Sequence, residues 1–106
     1  MSMLDELFAI VEERKRNPRE GSYTTELLRG DADQILKKVG EEAMEVVLAA
    51  KGQGDARLIE ELADLFYHCL VLLAARGLTL GDVDGELRRR HRARGQGDHR
   101  DTDERG

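Results

Sequence analysis

DADQILKKVGEEAMEVVLAAKGQGDARLIEELADLFYHCLVLLAARG, residues 31–77, contains two apolar-periodic segments divided by Gly52-Gln53-Gly54. In the first, Ile35, Val39, Ala43, Val46, Val47 and Ala50 recur at three- and four-residue spacing, which lines one face of a helix. Asp31 offers an N-cap and Gly52 a stop. In the second, Leu58, Leu62, Leu65, Phe66, Cys69, Leu72 and Leu73 form the main stripe of a helix that starts at Asp55 and is closed by Gly77. Leu70 and Val71 lie off that stripe, so this helix is apolar on more than one side. A helix of that kind is buried on several faces. In so short a chain the extra cover is expected from a second subunit.

On the N-terminal side, Leu4, Leu7, Phe8 and Val11 predict a first helix capped by Ser2 with Asp5 and ended before Pro18. Residues 17–24 read as a loop, and 24–29 as a short helix closed by Gly30. On the C-terminal side, Thr79 with Asp82 repeats the capping logic for a last helix carrying Leu80, Val83 and Leu87. No stretch alternates as a strand does. The expected fold is all-α, a small antiparallel bundle of four main helices completed by dimerisation. Residues 1–94 form its single domain. Residues 95–106 have no apolar side chain and read as a disordered polar tail.

Composition narrows the function. Of 106 residues, 40% are hydrophobic and 37% charged, a soluble globular balance. The longest apolar run, Cys69 to Ala75, is far below the roughly 20 residues of a membrane span. The N-terminus lacks the basic and apolar regions of a signal peptide, so a cytoplasmic location is expected. One Cys excludes an intramolecular disulfide and a cysteine zinc site; Cys69 reads as a core thiol. A net charge of −5, with no aromatic between the basic residues of Arg88–Arg94, argues against nucleic acid.

The chemistry lies in two acidic strings on the central helices. Glu42 and Glu45 are three residues apart, as are Glu61 and Asp64, so each pair shares a helix face. A short connection favours antiparallel packing, which lets both pairs enter one cleft. Two carboxylates about 5 Å apart repel by roughly 3 kcal/mol at an effective dielectric near 20. Either protons or a cation must relieve them, unless they form a solvated acidic face. An all-oxygen set suits Mg²⁺ or Mn²⁺. A di-iron site would need Glu-x-x-His, and Leu65 stands where His68 would require the Glu.

The string EExxE (41–45), fifteen residues (46–60) and ExxD (61–64) resembles the MazG-type all-α nucleoside-triphosphate pyrophosphohydrolases. Gly21-Ser22-Tyr23-Thr24, the run Ile35 to Ala43, and Glu61 to His68 followed by Leu72-Leu73 resemble phosphoribosyl-ATP pyrophosphohydrolase, as does Leu87…Arg90. The resemblance implies hydrolysis of phosphoribosyl-ATP to phosphoribosyl-AMP and pyrophosphate, the second step of histidine biosynthesis, by a helical homodimer. It implies Glu42, Glu45, Glu61 and Asp64 as Mg²⁺ ligands, with Mn²⁺ an alternative. Catalysis is expected from Glu41, Glu42 and Glu45, with Glu41 supporting a metal ligand, orienting a water as base, or simply exposed to solvent. Substrate contacts are expected from Ser22, Tyr23, Thr24, Lys37, Lys38 and Arg90. Lys38 could equally pair with Glu42, and Ser22 could be a helix cap. His68 could support a ligand carboxylate or simply face an interface. No second catalytic domain for the following cyclohydrolase step is visible, so a separate protein is expected to supply it. Two rivals remain: a housecleaning pyrophosphatase for dCTP or dUTP, which a substrate panel separates, and a non-catalytic interaction module, which would bind no Mg²⁺.

Overall fold

A computed structural model describes residues 2–96. They form helices α1 (Met3–Arg16), α2 (Tyr23–Arg29), α3 (Ala32–Gly52), α4 (Asp55–Ala75) and α5 (Leu80–Gln96), with no strand among the described residues. Local chemistry sets the boundaries. Ser2 and Asp5 make a reciprocal capping box on α1. The Asp31 carboxylate accepts from the Asp33 amide at the start of α3. Thr79 and Asp82 exchange hydrogen bonds of 2.9 and 3.0 Å before α5. At the end of α4 the Leu78 amide reaches back to the Leu73 carbonyl and the Gly77 amide to that of Ala74. This pairing needs a left-handed residue, and Gly77 has φ +74°.

Two boundaries differ from the sequence reading. Helix α2 begins at Tyr23 because Ser22 caps it, its hydroxyl accepting from the Thr25 amide at 3.1 Å. Helix α5 continues through Gly95 and Gln96. The remainder of the expected polar tail, 97–106, lies outside the described residues.

The Gln53–Gly54 connection turns α4 back along α3, and these two helices make the most extensive packing in the chain. Helices α1 and α2 pack against the pair. Phe8, Val11, Leu27, Ile35, Leu70, Val71 and Ala74 form the core. The most deeply buried face of α4 is thus the one carrying Leu70 and Val71, while of the expected main stripe Leu72 and Leu73 pack against the core from its edge. Along that stripe Leu62, Leu65 and Cys69 are half-buried and Phe66 is 46% exposed. On α3, Ile35 and Ala49 are buried, whereas Ala43, Val47 and Ala50 are exposed. The reason lies in α1 and α2: they cover the side of α4 that presents His68 and Val71, and Phe66 lies outside that cover. Helix α5 is also less enclosed than a bundle helix. Leu80 packs on the core, but Val83 and Leu87 stay exposed.

One long-range bond ties α1 to α4. The last turn of α4 contains no basic residue to meet its negative end. Lys15 supplies one from α1, its Nζ donating to the Ala74 carbonyl at 2.7 Å. Lys15→Met should lower stability by about 1.5 kcal/mol, as expected for a charge-assisted bond. Urea unfolding checks this, and an unchanged midpoint would show that water replaces the ammonium without loss.

Candidate metal centre and adjoining groove

Glu42 on α3 and Glu61 and Asp64 on α4 converge: one carboxylate oxygen from each lies within 4.8 Å of the others. The antiparallel return at Gln53–Gly54 is what brings 42 opposite 61 and 64. Burial differs across the three. Glu61 is 4% exposed, Glu42 is half-buried and Asp64 faces solvent. Glu45, one turn beyond Glu42, is not within that tight set. It remains near enough for its charge to bear on Glu61 and on Arg57.

Burial pushes the Glu61 carboxyl above its usual range, and Glu45, Asp64 and Glu42 push it further. Arg57 opposes them, its guanidinium 2.8 Å from Glu61 and 3.1 Å from Glu60. A buried carboxylate set against three others, with one half-exposed arginine in compensation, is a site that a cation stabilises. The donor set is all oxygen, which fits Mg²⁺ or Mn²⁺ and not a soft metal. Arg57 is a site residue that the acidic motif does not reveal. Its signal was present in the sequence as an Arg four residues before Glu61.

The conflict at Glu61 has a measurable sign. The folded chain holds this proton more tightly than the unfolded chain, whose value is 4.5. Its contribution to stability therefore falls as pH rises from 4.5 through the raised folded value. Glu61→Gln should raise the melting temperature of the metal-free protein at about pH 7.5, with the gain fading toward the unfolded value. A variant that melts lower than wild type at every pH would show that Arg57 outweighs the repulsion.

A groove of about 400 Å³ opens beside the acids, lined by Tyr23, Glu26 and Leu27 of α2 and by Gln34, Lys37, Lys38 and Glu41 of α3. Positions 34, 37, 38 and 41 share one face of α3. Lys38 joins the groove to the metal centre, 3.5 Å from both Glu41 and Glu42. Partial burial works against the Lys38 charge, but Tyr23, Glu42 and Glu41 prevail and raise its pKa. Lys37 is more open and lies 4.0 Å from Glu41. Glycine at 30 leaves room for the Gln34 side chain, since a Cβ there would stand 2.9 Å from Gln34 Oε1.

Behind the groove sits a polar aromatic cluster. His68 is 5% exposed, with Nδ1 2.8 Å from the main-chain carbonyl of Asp64 and Nε2 3.0 Å from the Tyr23 hydroxyl. A carbonyl only accepts, so Nδ1 carries the hydrogen and, in the neutral ring, Nε2 receives the Tyr23 O–H. His68 therefore supports the backbone of a candidate ligand rather than its carboxylate. Tyr67 stacks on Tyr23 with centroids 6.2 Å apart, and its hydroxyl bonds that of Thr24. Thus Ser22 and Thr24 have structural partners, while Tyr23, Lys37 and Lys38 line open space. Arg90 lies on α5 paired with Glu86 at 2.9 Å, and it lines neither the groove nor the acidic set.

The fold and site define an all-α protein in which a carboxylate cluster between antiparallel helices adjoins a lysine-lined groove. A family model described as phosphoribosyl-ATP pyrophosphohydrolase matches residues 4–91. The chain belongs to that family. A phosphoribosyl-ATP pyrophosphatase of Limosilactobacillus fermentum is 52% identical over 90 residues, covering 85% of this chain and 85% of that protein. One from Bacillus cytotoxicus is 47% identical over 88 residues, covering 83% and 82%. The histidine biosynthesis bifunctional protein HisIE of Oceanobacillus iheyensis is 46% identical over 91 residues, which span 86% of this chain and 42% of that longer protein.

Proposed function

We infer that the protein hydrolyses phosphoribosyl-ATP to phosphoribosyl-AMP and pyrophosphate in histidine biosynthesis, using Mg²⁺ and acting as a homodimer. The observation that carries this reading is the convergence of Glu42, Glu61 and Asp64 beside Lys38 in a chain of this family. Mn²⁺ fits the same donors.

Glu42, Glu61 and Asp64 would hold the cation, with Glu45 completing the set from the next turn of α3. When bound, Mg²⁺ supplies positive charge to the phosphate oxygens and acidifies water. The protein's own groups do the rest. Lys38 is within reach of Glu41 and Glu42, so a phosphate chain entering the groove meets an ammonium beside the acids. Lys37 adds charge at the outer rim. Glu41 is half-exposed, next to Lys37 and Lys38, and is the carboxylate to which this reading gives the proton of an attacking water. The α–β anhydride bond breaks and pyrophosphate leaves with its charge met by the lysines.

No helix among the described residues is long and apolar enough to cross a membrane. The uncovered apolar side chains support the dimer: Leu36, Met44, Val47 and Leu48 on α3, Ile59 and Phe66 on α4. Arg90 does not line the groove of its own chain, so its expected substrate contact would be made across such an interface. Pyrophosphate release from phosphoribosyl-ATP, with Mg²⁺ and with EDTA, beside ATP, dCTP and dUTP, tests the function. Turnover of phosphoribosyl-ATP that EDTA abolishes is expected. Preference for dCTP or dUTP would move the protein to the housecleaning enzymes, and no Mg²⁺ binding at all would favour an interaction module.

A further inference from the structure

The groove described above is walled on its α2 side by Tyr23 and Glu26, neither of which is needed to hold a phosphate. Tyr23 is 47% exposed although its ring is fixed, stacked on Tyr67 and bonded through its hydroxyl to buried His68. An aromatic ring clamped on one side and open to a groove on the other is a preformed stacking surface. The Glu26 side chain lines the same groove, exposed, with no hydrogen-bond or ion-pair partner among the described residues. Along α3, Gln34 at the groove and Glu42 at the metal centre are separated by about 12 Å of helix rise, the span of a nucleotide from base to phosphate.

We propose that Tyr23 and Glu26 form the base subsite and select the positively charged base of the substrate. This rests on the reading of the protein as a phosphoribosyl-ATP pyrophosphohydrolase. The adenine of phosphoribosyl-ATP carries its second ribosyl group on N1. Substitution there turns the neutral base into an amidinium that stays protonated near neutral pH. The face of Tyr23 attracts such a cation, and the Glu26 carboxylate meets its charge. The base of ATP carries no charge, so ATP would gain the stacking and forgo the rest. A carboxylate in a groove that must also admit a polyphosphate would otherwise repel its ligand. Its place on α2, outside the acidic triad and across from the Lys37 and Lys38 face of α3, is what makes it useful for discrimination.

The chain contains two tyrosines and no tryptophan, so its fluorescence reports on Tyr23 and Tyr67 alone. Titrations with 1-methyladenosine 5′-triphosphate and with ATP, both with Ca²⁺ in place of Mg²⁺, test the proposal through quenching. The methylated nucleotide should bind about tenfold more tightly than ATP. Glu26→Gln should bring the two affinities within about twofold of each other. With phosphoribosyl-ATP as substrate, the same variant should place its loss on KM rather than kcat. Tyr23→Phe keeps the ring and should retain the affinity for the methylated nucleotide, whereas Tyr23→Leu should weaken it, both read by isothermal titration calorimetry because neither variant keeps the Tyr23 signal, with circular dichroism confirming the helices. Equal affinities in wild type, or a Glu26→Gln enzyme with unchanged KM, would overturn the base subsite while leaving the hydrolase reading intact. A wild-type protein that fails to hydrolyse phosphoribosyl-ATP would overturn both.

Discussion

Asp64→Asn is expected to lower phosphoribosyl-ATP turnover by on the order of 10²–10³-fold while the metal-free protein melts at or above the wild-type temperature. The two halves follow from one geometry. Asp64 is the exposed member of the acidic triad, and its carboxylate has no hydrogen-bond or ion-pair partner among the described residues. The contact it does make, with His68, goes through its main-chain carbonyl, which Asn retains. Stability therefore loses little and gains the relief of one like charge beside Glu61. The cation site loses a third of its closest charged donors. Pyrophosphate release and differential scanning fluorimetry on the same preparation measure both. A variant within threefold of wild-type kcat, judged against the roughly 100-fold cost of removing such a group, would take Asp64 out of the ligand set. A large fall in both turnover and melting temperature would mean that the triad is structural.

The second large effect is expected at the uncovered apolar surface. Phe66→Asp should convert the proposed dimer to a monomer. In a two-fold interface each substitution enters twice. Two lost aromatic contacts at about 2 kcal/mol each, before the cost of burying two carboxylates, correspond to a dissociation constant weaker by at least about 10³-fold. Phe66 is 46% exposed in the single chain, so the substitution leaves the core of Phe8, Val11, Leu70 and Val71 untouched. Light scattering after size exclusion reads the result. A wild-type chain that elutes as a monomer at micromolar concentration would remove the dimer, and a Phe66→Asp dimer would place the interface elsewhere, with Val83 and Leu87 of α5 the next surface to test.

Much of the helical frame was legible because its signals are local. The Ser2–Asp5 and Thr79–Asp82 pairs, Asp31 before α3 and Gly77 after α4 act within a few residues of themselves, so spacing suffices to read them. The acidic strings were legible for the same reason, since Glu42 with Glu45 and Glu61 with Asp64 are helix neighbours. The core face was less so. Periodicity locates apolar stripes on α4 but does not say which one α1 and α2 will cover, because that depends on partners remote in the chain. Hence Leu70 and Val71 became the core and Phe66 stayed outside.

By itself, then, the sequence determined the number of long helices, their caps and the identity of the acids, all consequences of short-range hydrogen bonding and helical period. Tertiary structure decided which of those acids meet, separating Glu45 from the triad of Glu42, Glu61 and Asp64. It also set Arg57 against Glu61, His68 between Asp64 and Tyr23, and Arg90 away from the groove. Such relations depend on how α2, α3 and α4 are rotated about their axes when they pack. Helix rotation is set by the summed burial of many side chains at once, and no single spacing in the chain encodes it.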